Sequence, residues 1–152
     1  PKNLVILCDE TLSWIMDDAD KLIEQLEMNP HPEGGYYSES FRDRDNSVSL
    51  IYYLLKKGQR SHWHRLTKNE ILHFYKGDPL SVHISADAKT TITKKLGHSI
   101  SNNENIHLII HAGSWFSMNS EGNYSLIGCT VSPAFDYTDF ELAPPNWEPD
   151  NK

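Results

Sequence analysis

The sequence predicts an all-β domain, a sandwich or barrel, with one short helix ahead of it. Three observations carry this. From residue 36 to residue 131, about eight to ten short runs rich in β-branched and aromatic residues follow one another, bounded by Gly, Pro, Asn or Asp. A single segment, 17–27, has helical periodicity, which leaves no crossover helices for a parallel α/β sheet. The run 48–55 is apolar and aromatic almost throughout, as a strand covered on both faces requires.

Taken in order, residues 4–7 form a short apolar run, read as a strand or an arm reaching another subunit, followed by Trp14, Ile15 and Met16. In 17–27, Ala19, Leu22, Ile23 and Leu26 share one face at spacings of three and four. Asp17 or Asp18 caps that helix, and Pro30 and Pro32 stop it. The block NPHPEGG forces a turn, for which Gly34 and Gly35 suffice. Strands are expected over 36–42, 48–55, 61–66, 71–76, 80–85, 90–96, 106–110, 114–118 and 124–131. The proline-rich, acidic tail 144–152 is expected to be loosely ordered. The whole chain, 1–152, then reads as one domain: arm and helix to about residue 29, barrel over about 34–143, and tail.

Composition narrows the partners. The net charge is −7, and Lys56, Lys57, Arg60, Lys94 and Lys95 form groups too small to make a phosphate-binding surface, so nucleic acid is not the expected partner. The apolar run at 4–7 is far too short for a membrane span. Two cysteines, Cys8 and Cys129, make neither a disulfide framework nor a metal-binding pair. The expectation is a cytoplasmic protein with a small-molecule ligand.

The chemistry concentrates in residues 58–77, GQRSHWHRLTKNEILHFYKG. Side chains at i and i+2 of a strand share a face about 6.5–7 Å apart. His62, His64 and Leu66 therefore point together, and after the turn at 67–69 so do Glu70, Leu72 and Phe74. His73 and His83 read as satisfied partners of their strands, His107 and His111 as a solvated face, and His31 and His98 as loop residues. Cys129 reads as a buried small hydrophobe.

Gly58, His64, Glu70 and Gly77 stand at the spacing of the first motif of the cupin superfamily, but Leu66 occupies the place of that motif's second His. His111-Ala-Gly113-Ser-Trp-Phe116 resembles the second motif, with Phe116 where a metal-binding His is expected. The blocks HPEGGYYSESFR, SHWHRLTKNEILHFYKGDPL and LIGCTVSPAFDYTDFELA together resemble the cupin subfamily DUF985, over roughly residues 20–143. The resemblance implies a jelly-roll (double-stranded β-helix) barrel, commonly a homodimer, similar to dTDP-4-dehydrorhamnose epimerase, with no established common activity. It places Glu70 inside the barrel, hence His64 and, through the i+2 relation, His62.

Three functions are open on these residues. His62, His64 and Glu70 supply two imidazoles and a carboxylate, a set that holds a divalent metal. Alternatively, His64 oriented by Glu70 acts as a metal-independent base next to a carbonyl, with Tyr37 or Tyr75 as the matching acid, as an epimerase or isomerase needs. In the third, the barrel binds a polar ligand, sugar-nucleotide-like or carbonyl-containing, without catalysis. His62, Tyr37, Glu39, Trp115 and Phe116 are the expected ligand contacts.

Overall fold

The computed structural model describes residues 16–150. The expected arm at 4–7, Cys8, Trp14 and Ile15 lie outside the described residues. Helix α1, Asp18–Gln25, is capped by Asp17, whose carboxylate accepts from the Asp20 N–H at 2.7 Å. It ends before the expected residue 27 because Glu27 turns to φ 51° and sends the chain into β1 (Asn29–Pro30). The other strands are β2 (Tyr36–Arg42), β3 (Ser49–Lys56), β4 (Arg60–Leu66), β5 (Glu70–Gly77), β6 (Leu80–Ser85), β7 (Ile92–Leu96), β8 (Glu104–Asn105), β9 (His107–Ile110), β10 (Trp115–Ser120), β11 (Tyr124–Val131) and β12 (Phe140–Leu142). No described helix is long and apolar enough to cross a membrane.

Among the described residues the strands form two six-stranded sheets, β1-β2-β3-β11-β5-β9 and β12-β4-β10-β6-β7-β8. Every pairing is antiparallel except β7 with β8. Between the sheets lies a core that includes Leu55, Leu72, Phe74, Val82, Phe116 and Ile127. Strand β3 is covered on both faces, as its composition requires. Tyr53 and Leu55 enter this core, while Leu54 packs with Ala19, Tyr124 and Leu126 beneath α1.

Strand β4 departs from simple alternation. Phe116 pairs with His64, but Met118 pairs with Ser61, so Ser117 faces two residues, His62 and Trp63. This is a β-bulge, and it resets which side chains point inward. Ser61 and His64 are both buried, with Ser61 Oγ 3.4 Å from His64 Nδ1. Trp63 joins Trp115 and Ala143 in a cluster separate from the core. His62 bonds the Pro144 carbonyl at 2.9 Å.

The tail does not hang free. Ala143 N–H donates to Trp63 O, and Asp150 N–H donates to Ala88 O. The Trp147 ring sits 4.6 Å from that of Trp115 and 6.1 Å from that of Trp63. Burying three indoles together supplies the apolar contact that its Pro and acidic content alone does not suggest.

Candidate functional site

A cavity of about 370 Å³ opens into the barrel, bounded by side chains of β2, β3, β4, β5 and β11 and by the loops on either side of the sheets. Its polar groups are His31, Glu33, His64 and Glu70 deep inside, with Glu39, Arg42, Asp136, Tyr37 and Tyr137 around the opening. Ile51, Leu66, Met118, Val131, Phe135 and Phe140 supply apolar wall.

Glu33 reaches the cavity because its loop is fixed. Pro30 and Pro32 restrict the chain, His31 N–H donates to Gly35 O, and Gly34 N–H donates to His31 O. His62 N–H donates to Glu33 O at 2.8 Å, and the Tyr53 hydroxyl donates to Gly34 O. Gly34 has φ +109°, and a Cβ there would lie 2.1 Å from the Arg60 carbonyl oxygen. The close approach of this loop to β4 therefore needs glycine.

His64 is placed by the bulge. Its ring packs 4.0 Å from the Phe116 ring. Its Nδ1 lies 2.6 Å from His62 O and its Nε2 lies 3.0 Å from Glu33 Oε2. A carbonyl only accepts, so Nδ1 carries hydrogen. In a neutral imidazole Nε2 is then an acceptor, and the carboxyl must donate to it. The contact with Glu33 is thus one shared proton, on the carboxyl in the uncharged form or on the imidazole in the ionic form. Burial decides between them. It lowers His64 to about 4 and raises Glu33 to about 7, so the uncharged form prevails in mildly acidic solution. His31 is also lowered, by burial first, with Glu33 opposing.

Glu70 is pushed up to about 8, by burial first and by the charge of Glu33 second. The Cys129 thiol donates to its carboxyl, while its Oε2 is buried with no partner among the described residues. Tyr137 is pushed up to about 12, mainly by its hydrogen bond with Tyr37. Arg42 is held by both Glu39 oxygens, at 2.9 and 3.0 Å, and donates to Phe135 O.

Of the expected site residues, His64, Glu70, Tyr37 and Glu39 line the cavity. The carboxyl against His64 belongs to Glu33, however, not to Glu70. His62 does not join them, because the bulge breaks the i+2 relation and leaves it on the Pro144 carbonyl. Trp115 is on the outer face under Trp147 and the Arg65 guanidinium, 4.4 Å from its ring. Phe116 points inward but is fully buried core beneath His64. Tyr75 lies on the outer face of its sheet, with its hydroxyl over Gly128. Glu33 and His31 escaped the sequence reading. The signal was there in NPHPEGG: a charged residue locked between two prolines and two glycines.

A resident metal does not fit this set. Leu66 and Phe116 stand at two ligand positions, His62 points elsewhere, and both His64 nitrogens are engaged. Among the described residues no group of three or more His, Cys, Asp or Glu is arranged to hold one.

Two packed antiparallel sheets around a cavity, with His64 and Glu70 reaching it from consecutive strands, define a jelly-roll cupin. The chain matches the family described as Cupin superfamily (DUF985) over residues 20–143, and it belongs to that family. It is 36% identical to a Shewanella oneidensis protein of known crystal structure, with a TM-score of 0.79, covering 84% of this chain and 85% of that one. A hypothetical protein from Leishmania major is 30% identical with a TM-score of 0.76, covering 84% and 88%. Oxalate decarboxylase from Bacillus subtilis shares the fold at 15% identity and a TM-score of 0.61, over 75% of this chain and 29% of that one. No curated protein matches the chain.

Proposed function

We propose that the barrel cavity binds a small, uncharged polar ligand with a carbonyl group and moves a proton next to that carbonyl without a resident metal, as an epimerase or isomerase does. The observation that carries this is the Glu33–His64 contact at 3.0 Å, with the imidazole tautomer fixed by His62 O. Glu33 takes the ligand's proton at one oxygen as its Oε2 proton passes to His64 Nε2. The imidazolium that forms keeps its Nδ1–H on the His62 carbonyl. Arg42, the guanidinium at the opening, is bound by Glu39, which favours an uncharged ligand over a diphosphate-linked one.

The test is solvent exchange. Small hydroxyketones incubated with the protein in deuterium oxide are expected to gain deuterium at the carbon beside the carbonyl. Glu33→Gln, which keeps a donor toward His64 but no base, is expected to slow this about 10²-fold or more. Ligand binding with no exchange would leave a ligand-binding protein, and exchange unchanged in Glu33→Gln would remove Glu33 as the base.

A further inference from the structure

We propose that Glu70 is a catalytic acid that stays protonated in the resting cavity and donates its proton to an oxyanion, so that the ligand class is enolisable ketones of low charge. This deepens the reading of the same cavity and rests on it.

Two carboxyl groups share one chamber. Glu33 and Glu70 are each only 8% exposed and both line the cavity. The charge of Glu33 raises the cost of ionising Glu70, so at most one ionises readily. Their hydrogen-bond partners decide which. Glu33 faces His64 and also has the Ser61 hydroxyl within reach, a group that stabilises its anion. Among the described residues Glu70 has the Cys129 thiol, a weak donor, and its Oε2 has no partner. Glu70 therefore retains its proton. A buried, unpartnered carboxyl oxygen is costly unless something completes it. The cavity offers a ligand oxygen that place, against walls such as Leu66 and Met118 that suit an apolar body.

The two carboxyls then divide the work. The Glu33–His64 pair accepts the proton from the carbon beside the ketone. The C–H electron pair becomes the new C=C bond, and the carbonyl π electrons move to oxygen. That oxygen takes up the Glu70 proton, giving an enol, a Glu70 carboxylate and a His64 imidazolium. Return of the proton from the pair to carbon, and of the enol proton to Glu70, restores the resting state. No oxidant or co-reactant enters. A neutral carboxylic acid paired with an ionisable one in an apolar site is a known solution to this chemistry.

The probe is 4-nitrophenol, whose phenolate mimics the enolate, compared with nitrobenzene, which has the ring and not the oxygen. Binding is read by calorimetry and by the phenolate absorption band. The wild-type protein is expected to bind 4-nitrophenol at least tenfold more tightly than nitrobenzene. Glu70→Leu is expected to abolish that preference while still binding nitrobenzene. Glu70→Gln, whose amide still donates, is expected to keep part of it, and circular dichroism checks that both variants fold. Equal binding of the two probes to wild type, or a preference unchanged in Glu70→Leu, overturns the assignment. If hydroxyketones exchange deuterium but 4-nitrophenol shows no preference, the Glu70 role fails and the cavity reading survives. If neither probe nor any hydroxyketone binds, both fail.

Discussion

Replacing Gly34 by alanine is expected to destabilise the fold by about 3–5 kcal/mol and to dismantle the Glu33–His64 contact. The new Cβ would stand 2.1 Å from the Arg60 carbonyl oxygen, and backbone on that side cannot rotate away as a side chain would. The residue also sits at φ +109°, where an L side chain is strained regardless of space. Relief requires the loop to lift off β4. That strains the His62 N–H bond to Glu33 O and the Tyr53 bond to Gly34 O, which together aim the Glu33 side chain. Gly58 is the control, because it too has a positive φ, +78°, but its Cβ would meet nothing within 4 Å. Gly58→Ala should therefore cost only about 1 kcal/mol. Urea denaturation of the two variants measures the difference. Equal losses would show that the close approach of loop to strand does not hold the site.

Glu70→Gln is expected to stabilise the protein at pH 8, by an amount on the order of a few kcal/mol, while changing little at pH 5. The sign follows from the direction of the shift. Glu70 rises from its ordinary 4.5 to about 8 in the fold, so the folded state binds that proton more tightly than the unfolded chain. Its contribution to stability is complete below pH 4.5 and is lost as pH rises through 8. Glu33, raised from 4.5 to about 7, acts in the same direction. His64 acts in the opposite one: lowered from 6.5 to about 4, it contributes fully above pH 6.5 and is lost as pH falls through 4. Wild-type stability should thus be greatest in mildly acidic solution and fall on both sides. The glutamine amide of the variant cannot ionise, so the alkaline fall should become shallower. Denaturant midpoints for wild type and variant at pH 5 and pH 8 decide it. A difference between the two proteins that is the same at both pH values would show that Glu70 is not a buried neutral acid.

Much of the architecture was legible because it depends on local pattern. Strands at Leu80–Ser85 and Tyr124–Val131 follow from alternation and bounding turns, and the coverage of β3 on both faces follows from its unbroken apolar run. Strand β12 was not legible, since Phe140–Leu142 becomes a strand only by pairing with β4. The contacts of Trp147 were not legible for a related reason. Trp147 finds its partners, Trp63 and Trp115, far away in sequence.

The site divides along the same line. His64, Glu70, Tyr37 and Glu39 could be placed from strand alternation and motif spacing. His62 could not, because a single unpaired residue in β4 reverses the side on which it emerges, and alternation contains no sign of the bulge. Glu33 depends on a turn whose direction is set by contacts with Arg60 and Tyr53 from other strands. A sequence reading therefore pairs His64 with the nearest carboxylate in the motif, and the fold supplies a different one.

Glu33 and His64 are expected to share one proton, with Glu70 keeping its own. Long-range proton–nitrogen correlation of the histidine rings in ¹⁵N-labelled protein reads this directly. At pH 6, His64 is expected to show a protonated Nδ1 and an unprotonated Nε2, and to become an imidazolium only as pH approaches about 4. A doubly protonated ring at pH 6, or a neutral ring with its hydrogen on Nε2, would contradict the account.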